Sequence, residues 1–125
     1  MTKTCPIALT VCADPRFARL VRMSASNVGL LSSMSVERVE DIRMAAEEAF
    51  IYACAVQPSA PVAISFEVDD EHLTMAFTLE ASTFPEPDEG DPAAAYADLI
   101  LASVCDSFEK QEGPAALILT LKADV

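Results

Sequence analysis

The chain has 125 residues, of which 52% are hydrophobic and 22% charged, and its formal net charge is −12. This length and apolar content are typical of one globular domain and exclude a chain that stays unfolded for lack of apolar residues. The negative charge makes nucleic acid and anionic membranes poor partners. The chain has no stretch typical of a signal peptide or a membrane span, so we expect a cytoplasmic protein with a single domain over residues 1–125.

The first half of the chain predicts one strand and two helices. Residues 4–12 read TCPIALTVC, and the near alternation of their apolar residues indicates a first strand. Asp14-Pro15 is a typical helix start, with an N-cap aspartate and a proline at the first position, and it predicts a helix to about residue 32. Ser35 caps a second predicted helix, which ends before Pro58. The apolar residues that extend the first helix are Leu20, Met23, Val28 and Leu31; those that form the stripe of the second are Val36, Val39, Ile42, Ala46, Phe50 and Ala53.

The second half predicts a hairpin, a loop, a helix and a last strand. The predicted elements are strands at 61–68 and 72–80 around an acidic turn, a loop at 81–94, a helix at 94–108 and a strand at 115–123. The order is therefore β-α-α-β-β-α-β. It predicts an α+β fold: a two-layer sandwich in which three helices lie on one face of a mixed, mostly antiparallel sheet of about four to five strands.

The charges are spread unevenly along the chain. No Lys or Arg occurs between Arg43 and Lys110, and this span holds 14 of the 20 acidic residues. The cations Arg16, Arg19 and Arg22 have a spacing that places them on one side of a helix. They are either a solvated face or a docking patch for an acidic partner.

Cysteine and histidine usage gives no sign of a metal site. The four cysteines contain no CxxC pair and lie among apolar residues, so we expect buried free thiols. They are Cys5, Cys12, Cys54 and Cys105. The one histidine, His72, is expected to be exposed and inert on the hairpin turn, and no residues show the spacing of metal ligands.

Three segments occur in an order that resembles a known superfamily. They are SVERVEDIRMAAEEAF (35–50), LILASVCDSFE (99–109) and GPAALILTL (113–121). In this order they resemble the histidine-kinase-like ATPases, and most closely the small bacterial anti-sigma-factor serine kinases. The resemblance implies that family's two-layer fold. It also implies a protein partner such as a sigma factor or an anti-sigma antagonist, and it allows a homodimer.

The central helix keeps only part of the family's catalytic pattern. In the family, a Glu at the position of Glu48 activates or orients the attacking group, and an Asn one turn later holds Mg²⁺. Here the later position is Tyr52, whose phenol is a poor magnesium ligand and projects into the space of the metal and phosphates. From the residues alone, Glu47 and Glu48 can be one solvated and one partly buried carboxylate. Glu48 can also accept a hydrogen bond from Tyr96, and Tyr52 can fill the vacated space with its hydroxyl at the rim.

The two glycine motifs of the family are also altered. Its Asp-x-Gly-x-Gly, aligned here on Phe84, reads Leu79, Ala81 and Thr83, so the acceptor for adenine is lost and two Cβ atoms are added where the backbone must pass close to the base. Its later Gly-x-Gly reads Ala95 and Ala97 around Tyr96. Methyl groups at these two positions obstruct the close backbone approach that a phosphate needs at a helix start.

These departures predict a regulatory protein-binding module that has lost ATP, magnesium and kinase activity, with no cofactor in their place. The acidic run 86–91 is either a mobile loop or a lid that binds a partner. The alternative is an active ATP-dependent serine/threonine kinase with divergent motifs. In that case Glu48 would be the base, and carboxylates near the lid would hold a divalent metal.

Overall fold

The computed structural model describes residues 7–57, 59–84 and 92–124, with only the backbone for residues 92–95. The elements in chain order are β1 (Ile7–Cys12), a 3-10 turn (Pro15–Phe17), α1 (Ala18–Gly29), α2 (Val36–Val56), β2 (Pro61–Val68), β3 (His72–Thr78), α3 (Pro92–Val104), β4 (Ser107–Gln111) and β5 (Ala116–Lys122). The five strands form one sheet in the order β1-β2-β3-β5-β4, and every neighbouring pair is antiparallel. The predicted α+β sandwich is confirmed.

The core lies between the helices and one face of the sheet. In β2 and β3 every second residue is buried, so each strand turns one side to the helices and the other to solvent. The helix α2 is the middle element of the helical layer, with α1 on one side and α3 on the other. The helices α1 and α2 pack closely, since a Cβ atom added to Gly29 would lie 2.6 Å from Cδ1 of Ile42.

The prediction of one helix over 94–108 is wrong at its C-terminal end. The helix α3 ends at Val104, and residues 107–111 form the edge strand β4. The N–H of Cys105 donates to the carbonyl of Leu101, and the N–H of Asp106 already donates to the carbonyl of Thr120 in β5. The chain therefore joins the sheet because pairing with β5 replaces the next helical hydrogen bonds.

The first helix also differs from its prediction. The segment after Asp14 begins as a 3-10 turn, and the α-helix that follows ends at Gly29 instead of residue 32. The side chains of Leu20, Met23 and Leu31, which were expected to extend this helix, are 50%, 47% and 63% exposed. Its buried residues are Ala18, Val21, Ala25, Val28 and Gly29. Leu20 and Met23 are therefore exposed apolar residues of α1, and its core side consists of alanine, valine and glycine.

The cysteine prediction is correct in part. The thiols of Cys54 and Cys105 are buried and free, and burial raises their pKa to about 11 and about 12. Cys12 is exposed instead, because it points away from the helices at the end of β1. Cys5 lies outside the described residues. His72 opens β3, is only half-exposed, and places Nδ1 at 3.4 Å from a carboxylate oxygen of Asp69.

Candidate functional site

The site lies where α2, α3 and β4 meet, and Tyr52 is at its centre. Tyr52 belongs to the last turns of α2, one helical turn after Glu48, and only 8% of it is exposed. Its ring stacks on that of Phe84, with 5.9 Å between the centroids and 26° between the planes. The Tyr52 side chain is therefore packed inside the fold against Phe84, and its role in filling a vacated nucleotide pocket stays a prediction.

Lys110 of β4 forms the side of the site that belongs to the sheet. Its Nζ lies 4.8 Å from the centroid of the Tyr52 ring and 5.5 Å from that of Phe84, so the ammonium faces both aromatic rings. The same atom donates to the Tyr52 hydroxyl at 3.3 Å and lies 2.9 and 3.1 Å from the two carboxylate oxygens of Asp98. Burial lowers the pKa of Lys110, but the hydrogen bonds with Asp98 and Tyr52 outweigh burial and raise it. We call these four residues, Tyr52, Phe84, Asp98 and Lys110, the Tyr52 cluster.

The segment after β3 is held by Gln57, the C-cap residue of α2. Gln57 is 9% exposed, and its Oε1 accepts hydrogen bonds from the amides of Glu80 (2.7 Å) and Ala81 (3.1 Å). Its Nε2 donates to the carbonyl of Pro61 at 3.0 Å. Leu79, the first of the predicted remnants of the nucleotide pocket, is 2% exposed and belongs to the core. The backbone at Leu79 and Ala81 is therefore already engaged by the protein itself.

The following residues are bonded to the turn between β4 and β5. Ala81 accepts a hydrogen bond from the N–H of Ala115 at 2.9 Å, and the amide of Phe84 donates to Glu112 at 3.0 Å. These contacts hold Phe84 where its ring reaches Tyr52. Thr83 lies between them, is exposed, and takes no part in the cluster.

The predicted remnants on α3 lie near its N-terminal end. Because α3 runs from Pro92 to Val104, Ala95 is its fourth residue and Ala97 its sixth. Ala97 is 4% exposed and packs in the core, and the side chain of Ala95 lies outside the description. The acidic run 86–91 lies outside the described residues as well.

Glu48 lies beside the Tyr52 cluster without a partner in it. The side chain is half-buried, and burial, together with the charge of Glu47, raises the pKa of Glu48. Tyr96, the expected hydrogen-bond donor, is 60% exposed, and no hydrogen bond joins it to Glu48 in the described part of the chain. Within the same residues, no group of three His, Cys, Asp or Glu side chains is placed to hold a metal ion.

The three arginines of the predicted docking patch do not act together. Arg16 lies on the 3-10 turn and pairs with Asp14 at 2.7 Å, whereas Arg22 turns toward α2 and lies 3.3 Å from Glu47. Arg19 is exposed and has no ion pair among the described residues. Arg16 and Arg22 therefore each have a neighbouring carboxylate as partner, and the docking patch stays a prediction.

A shallow groove of about 280 Å³ runs beside Arg22 on the outer side of the helical layer. Its lining residues are Arg22, Glu40, Asp41, Arg43, Met44 and Glu47. Arg43 pairs with Glu40 at 2.6 Å on its rim. The groove therefore combines an exposed methionine with two arginines and three carboxylates, a mixture that suits a protein surface better than a small anion.

Sequence reasoning missed three members of the Tyr52 cluster. Phe84 served only as an alignment mark, and Asp98 was only one of the 14 acidic residues between Arg43 and Lys110. Lys110 had one usable signal, since it is the first cation after Arg43 in a strongly acidic stretch. A lone cation in such a stretch is expected to meet a carboxylate, but its contact with two aromatic rings depends on β4, a strand that the sequence did not predict.

Comparisons with known proteins give no assignment. No protein-family model matches the chain, and no curated protein has a significant match to it. The fold and site thus define the class: a two-layer α+β sandwich in which an aromatic and ionic cluster fills the junction of α2, α3 and β4. None of the helices in the described part of the chain is both long and apolar enough to cross a membrane.

Proposed function

We propose that the chain is a degenerate member of the histidine-kinase-like ATPase superfamily that acts as a regulatory protein-binding module. Its proposed partner is a sigma factor or an anti-sigma antagonist, and its action does not use ATP. The observation that carries the proposal is the Tyr52 cluster. It stands at the position where the resemblance places Mg²⁺ and the triphosphate.

A nucleotide in this position would have to displace favourable contacts. It would separate Lys110 from Asp98 and remove the stacking of Tyr52 on Phe84. Each contact that the altered motifs no longer offer is worth about 1–3 kcal/mol, whereas millimolar binding needs only about 4 kcal/mol in total. Losing several such contacts is therefore enough to remove nucleotide binding at cellular concentrations.

The proposed partner surface is the outer side of α1 and α2. Arg19 is the exposed cation of α1, and the neighbouring groove contributes Arg43 and Met44, which is 49% exposed. An acidic partner with an apolar anchor fits this combination, because the anchor can cover Met44 while its carboxylates approach Arg19. A partner of this kind would avoid the acidic remainder of the chain.

Calorimetry with MgATP at millimolar concentration tests the loss of nucleotide binding. We expect no binding heat for the native protein and none for Tyr52→Asn, because the substituted glycines would still be missing. Binding by the native protein would overturn the proposal. The half-buried Glu48, with its raised pKa, would then favour the alternative of an active serine/threonine kinase, and Glu48→Gln should abolish phosphate transfer.

Partner binding is tested with purified sigma factors and anti-sigma antagonists of the source organism. We expect one of them to bind without ATP and to bind more weakly as salt increases. Arg19→Glu should weaken the complex at least tenfold. Lys122→Glu, the same charge reversal on the exposed side of β5, is the control and should leave it unchanged. Failure of every candidate to bind, or an equal loss in both variants, would contradict the proposed surface.

A further inference from the structure

The face of the sheet that points away from the helices is accessible to solvent. The register of the strands places its side chains in three rows that run from β1 or β2 to β4. The middle row is Ala8, Ser65, Ala76, Ile118 and Glu109; the rows beside it are Thr10, Ala63, Thr78, Ala116 and Gln111, and Glu67, Thr74, Thr120 and Ser107. All of them except Ala116 are exposed or half-exposed. We call these three rows the open face.

The middle of the open face is low and uncharged. Apart from Ile118, its uncharged residues are alanine, serine, threonine and one glutamine. Ile118 lies on β5 in the middle row, is half-exposed, and pairs with Ala76 of β3. Because dispersion contacts need close approach, short side chains around one larger apolar side chain favour a partner that lies directly on the strands.

Two carboxylates lie on opposite sides of this uncharged area. Glu67 belongs to β2 and Glu109 to β4, and the strands β3 and β5 run between them. Neighbouring strands are about 4.8 Å apart and two residues along a strand span about 7 Å, so the two Cα atoms lie about 16 Å apart. Both residues are exposed, and neither forms an ion pair with any other described residue. An α-helix is about 10–12 Å across with its side chains, so it fits between them.

The size of the open face suits one helix better than a globular domain. Its outer Cα atoms span about 19 Å across the strands and about 14 Å along them, which gives about 400–500 Å² with the side chains included. A stable complex of two globular proteins buries about 800 Å² on each partner. A helix of three to four turns is about 16–22 Å long and covers the open face. Such a contact belongs to the weak and transient class.

We propose that the open face docks a cationic amphipathic helix of a partner protein. The helix lies along β3 and β5, with its apolar stripe over Ala76 and Ile118. Lys or Arg side chains on its two flanks reach Glu67 and Glu109, while their aliphatic stems cover the neighbouring strands. Acidic flanks would instead bring like charges together on a chain whose net charge is −12. The exposed cation Lys122 lies beyond Thr120 at the end of β5, outside the three rows.

The open face and the proposed partner surface belong to different layers of the sandwich. Arg19 and the groove lie on the helices, whereas the open face is the far side of the sheet. The inference therefore does not depend on the proposed function, and a test without ATP or sigma factors separates the two. Because the two surfaces prefer partners of opposite charge, a chain that uses both joins an acidic protein to a cationic one.

A designed peptide serves as the probe for the proposed contact. It has about 18 residues, or five helical turns, of alanine, leucine and lysine, with lysines on both flanks of an apolar stripe. A scrambled peptide of the same composition keeps the charge and loses the stripe. In fluorescence anisotropy with the full chain, we expect the probe to bind at least tenfold more tightly than the scrambled peptide and than a version with glutamate flanks. No binding at millimolar peptide, or equal affinity for any two of the three, would overturn the proposal.

A matched pair of alanine substitutions tests whether the probe lies on the sheet. Ala76→Lys puts a long cation in the middle row and should weaken binding of the probe at least tenfold. Ala102→Lys makes the same change at an exposed site on α3 and should leave binding unchanged. Urea denaturation checks that both variants are folded. An equal affinity of the two variants would contradict the docking site.

A matched pair of charge removals tests the role of the two flanking carboxylates. Glu67→Gln combined with Glu109→Gln should weaken binding at least fivefold, since it removes both proposed ion pairs from exposed sites without affecting the core. Glu37→Gln combined with Glu40→Gln removes the same charge from exposed sites on α2 and is the control. Equal losses in the two double variants would show that the probe responds only to net charge, against the proposal.

Amide chemical shifts locate the probe on the native protein without any substitution. The probe should shift the amides of Ser65, Ala76 and Ile118 and leave those of Met44 and Leu99 on the helices unchanged. Shifts confined to the helices would place the contact elsewhere and overturn the proposal. Shifts at Ser65 and Ala76 that depend on protein concentration before peptide is added would show that a second copy covers the open face, which would also overturn it.

Discussion

The ammonium of Lys110 lies 4.8 Å from the centre of the Tyr52 ring and 3.3 Å from its hydroxyl oxygen. The tyrosine therefore contacts the same cation with its ring and with its polar end. Lys110 comes from an edge strand and Tyr52 from the central helix, so this pair joins the two layers of the sandwich at the site. Asp98 neutralises the cation from α3.

The pair should be measurable as a coupling in unfolding experiments. We expect Lys110→Met to lower the free energy of unfolding by about 1–2 kcal/mol, because the cation–π contact is lost and Asp98 is left unpaired. Tyr52→Phe should cost about 0.5–1.5 kcal/mol for the lost hydrogen bond. In urea denaturation the double variant should cost less than the sum of the two. Lys122→Met, which removes an exposed lysine, is the control and should add to Tyr52→Phe without coupling. If the effects of Lys110→Met and Tyr52→Phe were also strictly additive, the contact between Lys110 and Tyr52 would make no net contribution to stability.

Gln57 should be one of the most sensitive positions near the site. We expect Gln57→Ala to lower the free energy of unfolding by about 2–3 kcal/mol, because it leaves the amides of Glu80 and Ala81 and the carbonyl of Pro61 without a partner. Exchange of the Glu80 and Ala81 amides should accelerate beyond the effect of global destabilisation. A change below about 0.5 kcal/mol, the range of surface substitutions, would mean that water replaces the side chain at no cost.

Replacing Glu48 by a neutral residue should stabilise the protein by an amount that depends on pH. Burial and the neighbouring Glu47 raise its pKa in the folded state above the ordinary 4.5, so ionised Glu48 destabilises the fold. Its penalty is full above the folded pKa and disappears as pH falls below the unfolded value. Glu48→Gln should therefore melt higher than the native protein at pH 7, with the difference vanishing below pH 4.5. Glu67→Gln, a substitution at an exposed site on β2, is the control and should show no such dependence on pH. If the stabilisation by Glu48→Gln grew as the pH fell, the raised pKa of Glu48 would be refuted.

Arg38 should be a structural residue that lysine cannot replace. Its guanidinium pairs with Asp41 and Asp106 and donates to the carbonyls of Val104 (3.1 Å) and Lys122 (2.8 Å). Lysine has no fork of donors to span these groups. We expect Arg38→Lys to lower the free energy of unfolding by about 2 kcal/mol or more, seen as a lower urea midpoint. Arg43→Lys, which affects one exposed pair with Glu40, is the matched control, and equal losses would contradict this role.

Much of the fold could be predicted from the chain because its signals are local. Ser35 caps α2 through its side chain, which accepts from the amide of Arg38, as a cap rule predicts. The alternation in 61–68 and 72–78 sets the two strands and the buried face of each. The acidic turn between them fixed the hairpin. These elements follow from the spacing of apolar residues and from the residue types at caps and turns. Both signals lie within short stretches of the chain.

The predictions fail where contacts with residues distant in the sequence determine the secondary structure or the burial of a segment. The predicted helix ran to residue 108, yet residues 107–111 form the strand β4 because they pair with β5. In α1, Leu20 and Val21 are equally apolar, and only the position of α2 and the sheet determines that Val21 is buried and Leu20 exposed. A periodic pattern with two apolar sides does not contain this choice.

By itself, the sequence determined an α+β order of elements, the central helix with Glu48 and Tyr52, and the end of the hairpin before Leu79, Ala81 and Thr83. Only the tertiary structure decided that Lys110, Asp98 and Phe84 meet Tyr52, and that Gln57 holds the chain after β3. Those contacts join residues up to 58 positions apart. Their geometry depends on how the layers pack, and packing is a property of surfaces that no short stretch of the chain encodes alone.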